Sequence, residues 1–89
     1  MPVLTTPEEV KEARKKRFDY LEGFYKKLES DPTLNPKKIR PTGKLLVFYR
    51  KAKKYYDLDN MQTALGLLNL AINMYCDRLE IRRENLGIV

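Results

Sequence analysis

Apolar residues recur at the three-to-four-residue spacing of a helix in three stretches of the chain, and each stretch ends among residues that break helices. The first opens at "TTPEEV": Thr6 stands as an N-cap, Pro7 takes the first helical position, and Glu9 completes a Thr-x-x-Glu capping box. Val10, Ala13, Arg17 through its stem, Leu21, Phe24 and Leu28 then form one stripe, widened by Phe18, Tyr20 and Tyr25. The pattern predicts a helix over about 7–29. "SDPTLNPKKIRPTG" follows, and Pro32, Pro36, Pro41 and Gly43 make residues 30–43 a loop rich in Pro and Lys.

Thr42 is placed to cap a second helix over about 44–58. At about 100° per residue, Leu45, Phe48, Tyr49, Ala52, Tyr55 and Tyr56 share an arc of roughly 120°, and Lys44, Arg50, Lys51, Lys53 and Lys54 fill the opposite half. Leu46 and Val47 lie on the basic side near the helix start, where the loop or the first helix is expected to cover them. "DLDNMQTA" is a short break in which Asp59 or Asn60 caps a third helix over about 61–84, Asp59 and Gln62 having capping-box spacing. So short a connection predicts an antiparallel hairpin of the second and third helices.

The third helix carries two apolar stripes. Met61, Leu65, Leu68, Ile72, Tyr75 and Leu79 make one, and Leu67, Leu70, Met74 and Ile81 the other, with Ala64 and Ala71 between. Together they span roughly 240° of the helix, more than one neighbour can cover. Either the helix lies between the other two, or its second stripe meets a protein partner or a second copy. Asn69, Asn73 and Asp77 follow one another at i, i+4 and i+8 on the remaining polar strip, which reads as a solvent stripe or as a contact line. Gly87 stops the helix before a short tail.

These elements predict an all-α fold, a compact antiparallel three-helix bundle in a single domain over 1–89. A composition of 43% apolar and 34% charged residues with only four Gly agrees with a folded, helix-favouring chain and excludes a disordered one. No apolar run approaches the roughly 20 residues that cross a bilayer, and "MPVLTTPEEV" lacks the basic and apolar regions of a signal peptide. The expectation is a cytoplasmic protein without a membrane contact. Cys76, the single cysteine, has no internal disulfide partner and reads as a small buried apolar residue.

Charge divides the chain unevenly. Residues 1–30 carry seven bases and six acids and residues 61–89 three of each, so these regions nearly cancel and nearly all of the net charge of +6 comes from the middle. There Lys37, Lys38, Arg40, Lys44, Arg50, Lys51, Lys53 and Lys54 stand between Asp31 and Asp57 without an intervening acid. Such a cluster attracts polyanions, because each phosphate neutralised releases condensed counterions. A solvated helix face is the plain alternative, but the acids that would balance these lysines at i,i+4 are missing. No zinc-finger spacing, RNA-reading aromatic strand or helix-turn-helix is present, so the cluster addresses phosphates rather than base edges. The neighbouring tyrosines are of a type that stacks on bases, yet their spacing puts them on the apolar face.

Candidate chemistry is scarce. Without histidine the chain lacks the commonest general acid-base and metal ligand, and one cysteine excludes thiolate metal sites. "PTGK" fails as a phosphate loop because Lys38 stands where its first Gly belongs and Leu45 replaces the Ser or Thr that holds magnesium. "DLDNMQ" fails as a calcium loop because Met61 takes the third ligand position and Gln62 the place of Gly. The expectation is a protein that is not an enzyme, with no metal site, no cofactor and no small-molecule substrate.

"FYRKAKKYYDLDNMQTALGLLNLAIN" resembles a small archaeal helical family catalogued as domain of unknown function 357. That family shows an aromatic-rich helix, a Gly-Asp turn and a helix reading Thr-Ala-Phe-Gly-x-Ile-Asn-Tyr-Ala-His-Gly. Thr63, Ala64, Gly66, Asn69 and Ala71 match it, Leu65 stands for the Phe and Leu68 for the Ile, over about 45–77. Asp59 and Asn60 replace Gly-Asp, Leu70 the Tyr, Ile72 the His, Asn73 the second Gly, and Cys76 an Asp that usually follows. The resemblance therefore implies a helical fold and an archaeal origin, and carries no site built on that His and Asp. In shape alone the hairpin is also similar to tetratricopeptide and microtubule-interacting-and-transport helices, whose grooves bind peptides, although the full repeat signature is absent.

The functional expectation is a small basic binding protein that contacts RNA, ahead of DNA, through the loop and the outer face of the second helix. The alternative is a protein-interaction or dimerisation module built on Leu67, Leu70, Met74 and Ile81.

Overall fold

Thr6 Oγ1 accepts the Glu9 amide hydrogen at 3.1 Å and opens α1, Pro7–Ser30, in the computed structural model, which describes residues 6–87. α2 is Lys44–Asp57, α3 is Met61–Leu79, and a 3-10 turn at Arg83–Leu86 follows. The expected all-α three-helix bundle is the fold found.

Ring contacts set the helix directions. Phe18 meets Tyr56 with centroids 4.6 Å apart and Tyr25 stacks on Tyr49 at 4.0 Å, so α2 runs opposite to α1. Tyr25 also meets Tyr75 edge-on at 5.6 Å, which places the C-terminal halves of α1 and α3 side by side. The order is up-down-up. α3 packs against both other helices, the first of the two arrangements its apolar stripes allow, and supplies Ala64, Leu68, Ala71, Ile72, Tyr75 and Cys76 to the core. Phe18, Leu21, Tyr25 and Leu28 come from α1, and Leu45 and Ala52 from α2. Burying the Leu, Ile and Phe side chains among them contributes roughly 1.5–3 kcal/mol each relative to exposure.

Four details differ from the sequence expectation. The buried stripe of α1 is rotated, so Ala13 and Tyr20 are exposed and Val10, Arg17 and Phe24 are half-buried at its edge. α3 ends at Leu79 rather than near residue 84, because Glu80 adopts a left-handed conformation (φ 57). The Ile81 amide then bonds the Cys76 carbonyl and the Glu80 amide the Asp77 carbonyl, the paired closure of a Schellman motif. The N-cap of α2 is Gly43, at φ 62, ψ −136, a conformation open to glycine, while Thr42 accepts a hydrogen bond from Arg78 instead. At α3 the cap is Asn60, one of the two residues expected there, whose Oδ1 accepts the Thr63 amide hydrogen; the difference is that Asp59 (φ 67) pairs with Lys11 rather than completing a capping box.

The loop between α1 and α2 is tied down from inside. Asn35 is 2% exposed; its Nδ2 donates to the Ile39 carbonyl and its Oδ1 accepts from the Ile39 amide, both at 2.8 Å. The Tyr75 hydroxyl, rooted in α3, donates to the same carbonyl. Asp31 Oδ1 accepts from the Thr33 amide and shapes the turn before it.

Candidate nucleic-acid interface

The eight basic residues of the middle segment do not form one surface. Lys44, Arg50, Lys51 and Lys54 are exposed and share the outer face of α2, which turns away from Leu45 and Ala52. Over one helix they rise about 15 Å from Lys44 to Lys54. Among the described residues none of these four has an ion-pair partner. Val47, 47% exposed, sits among them, and Leu46 is half-buried, so neither loop nor α1 covers Val47 as expected.

Lys53 leaves this face. It lies on the flank toward α1, where its ammonium meets Glu22 Oε2 at 2.9 Å, and the Tyr49 hydroxyl donates to the same oxygen at 2.8 Å. Burial pushes the Glu22 carboxyl up, but the hydrogen bonds from Lys53 and Tyr49 outweigh it and hold it below the ordinary glutamate value. The hydrogen bond to Glu22 raises Lys53, and burial raises Tyr49. A lysine already matched to a carboxylate brings little to a polyanion.

The loop cations separate again. Lys38 and Arg40 face the end of α1, where they line a cleft with Lys26, Glu29 and Ser30. Lys37 turns to the other side, beside Arg78, Leu79 and Glu80. Lys26 was not singled out from sequence, because it stands among the balanced charges of α1, twelve residues before Lys38.

The tyrosines of α2 are structural. Tyr49 lies parallel on Tyr25 with its hydroxyl on Glu22, and Tyr55 and Tyr56 are half-buried against the core. Lys15 and Lys53 stand 5.7 and 5.8 Å from the Tyr56 ring centre. No aromatic ring is exposed on the outer face of α2 to stack on a base.

The second stripe of α3 is also largely internal. Leu67, Met74 and Ile81 are half-buried against the core, and Ile81 lies beyond the left-handed Glu80, off the helix altogether. Leu70 is 49% exposed. The polar strip is a contact line within the chain: the Arg83 guanidinium donates to Asn73 Oδ1 at 2.8 Å and to Asn69 Oδ1, fastening the 3-10 turn across α3. Asp77, the third residue of the strip, is exposed. Cys76 is buried, and burial raises its thiol above the ordinary value.

Among the described residues no helix is long and apolar enough to cross a membrane. No protein-family model, no curated protein and no solved structure matches the chain.

Proposed function

We propose that this chain is a binding protein without catalytic activity that contacts RNA, ahead of DNA, along the phosphate backbone through the outer face of α2. The observation that carries this reading is the set of four exposed cations, Lys44, Arg50, Lys51 and Lys54, on one helical face with no acidic partner among the described residues. Arg50 offers a planar fork for two phosphate oxygens and the lysines act as point charges. Contact with phosphates positions a protein without reading sequence, which fits a face that lacks an exposed ring. Lys53 drops out of the interface because Glu22 holds it.

The resemblance of residues 45–77 to the archaeal helical family remains a proposal of kinship that adds no activity to this reading. Fluorescence anisotropy with labelled single-stranded and duplex RNA and DNA, at low and near-physiological salt, tests it. Salt-sensitive binding that the triple change Arg50→Glu, Lys51→Glu, Lys54→Glu abolishes while helicity persists is the expected result. Binding unaffected by that change sinks the proposal. The alternative of an interaction module on α3 rests on Leu70, since its other three residues pack inward, and light scattering on the same sample reports a dimer if one forms.

A further inference from the structure

Three non-glycine residues of the described chain take left-handed backbone conformations, and each has a role within the fold. Asp59 (φ 67) forms the ion pair with Lys11, and Glu80 (φ 57) closes α3. Lys38 (φ 54) donates its amide hydrogen to the Asn35 carbonyl at 3.2 Å and turns the loop so that Ile39 meets Asn35. A left-handed backbone crowds the Cβ against the following carbonyl, which is why glycine or asparagine usually takes such positions. Among the described residues the Lys38 ammonium has no ion-pair partner. The fold therefore accounts for the Lys38 backbone, while its exposed side chain is left available to a ligand.

The cleft that Lys38 enters has a volume of about 510 Å³ and is lined by Lys26, Glu29, Ser30, Lys38 and Arg40. Lys38 and Arg40 flank Ile39, whose amide and carbonyl are both gripped by Asn35, with Tyr75 on the same carbonyl. The backbone between the two cations is therefore pinned, and Lys26 opposes them from a helix. The Ser30 hydroxyl donates to the Lys26 carbonyl at 2.9 Å and so is held within the last turn of α1. Three cations against the one carboxylate of Glu29 leave a net charge of +2 (3 − 1) on the lining. That balance matches a phosphomonoester or inorganic phosphate, which carries about −1.5 to −2 near pH 7, better than a singly charged backbone diester.

We propose that this cleft binds a dianionic phosphate group, with Arg40 giving two parallel hydrogen bonds and Lys26 and Lys38 supplying the remaining charge. The group comes either from the phosphorylated end of a nucleic acid or from a small phosphate compound. The site is separate from the outer face of α2 and does not depend on it.

Amide NMR of the full chain at constant ionic strength tests the assignment, with inorganic phosphate as the first probe. A 5′-phosphorylated oligoribonucleotide and the same oligomer with a 5′-hydroxyl are the second pair. Saturable shifts of the Ser30, Lys38 and Arg40 signals are expected with inorganic phosphate. Lys38→Gly and Arg40→Gln should each weaken binding about tenfold, the loss of one charge-assisted contact. Lys38→Gly relieves the backbone, so its melting temperature should hold or rise, which separates lost binding from lost folding. Tighter binding of the phosphorylated oligomer than of its 5′-hydroxyl form assigns the group to a nucleic-acid end, and equal binding of the two assigns it to a small phosphate compound. The triple reversal on α2 should leave the inorganic phosphate shifts in place. Absence of saturable shifts, unchanged affinity in Lys38→Gly, or loss of the cleft shifts in the α2 triple variant overturns the proposal.

Discussion

Asn35 and Ile39 hold each other through two hydrogen bonds of 2.8 Å, the side-chain amide standing in for the edge of a neighbouring strand. Because Asn35 is almost fully buried, its removal leaves the Ile39 amide without its partner and the Ile39 carbonyl with the Tyr75 hydroxyl alone. Asn35→Ala is expected to lower stability by about 2 kcal/mol in urea unfolding. Hydrogen exchange at the Ile39 amide should accelerate in the same variant, while the core amides of α1 change only with global stability.

Glu22, Tyr49 and Lys53 make stability depend on pH at the acid end. The folded-state value of Glu22 lies below its ordinary value of 4.5, so its contribution is present above that value and is lost as pH falls through the folded-state value. Lys53 is 44% exposed at its side chain, and solvent screening keeps the pair to a few tenths of a kcal/mol up to about 1. Melting temperatures taken from pH 7 down to 3 should fall more steeply in the parent than in Glu22→Gln. Equal slopes would show that the pair does not form.

Glu80 ends α3 in the conformation that glycine adopts most readily. Glu80→Gly should therefore stabilise the chain by about 0.5–1 kcal/mol, read as a rise in the thermal midpoint, with α3 ending at the same residue.

Leu68 and Leu70 stand two residues apart on α3 with opposite fates, one fully buried and the other half in solvent. Leu68→Ala is expected to cost about 2–5 kcal/mol through the cavity it leaves, and Leu70→Ala less than about 0.5. A large loss at Leu70 that depends on protein concentration would instead reveal a self-association surface.

Lys51 is one of the four exposed cations on the outer face of α2 through which nucleic-acid binding is proposed. Lys51→Gln should reduce the slope of log affinity against log salt by about 0.7–0.9 in magnitude, uniformly across nucleic-acid sequences. Lys53→Gln should leave that slope close to the parent value, because Glu22 already neutralises Lys53.

The local features were legible because they are local. Thr6 with Pro7 and Glu9, the breakers between Pro32 and Gly43, and the alternation of Leu45, Tyr49 and Ala52 with Arg50 and Lys54 each act within one or two helical turns. Their side-chain spacing alone predicts where helices begin and which face of α2 meets solvent. The wide apolar surface of α3 likewise showed a helix in need of more than one neighbour, without deciding between the other two helices and a partner.

What the sequence determined by itself is thus the number of helices, their order and the concentration of positive charge between them. Only the tertiary structure decided which charges act together. Lys53 is neutralised by Glu22, thirty-one residues away, and Lys38 and Arg40 gain Lys26 as a companion through the fold of the loop. Asn35 and Tyr75, forty residues apart, meet over Ile39 only in the folded chain. The reason is physical: periodicity reports the direction of a side chain from its own helix, whereas pairing, desolvation and the pinning of a loop depend on atoms that only packing brings within hydrogen-bond distance.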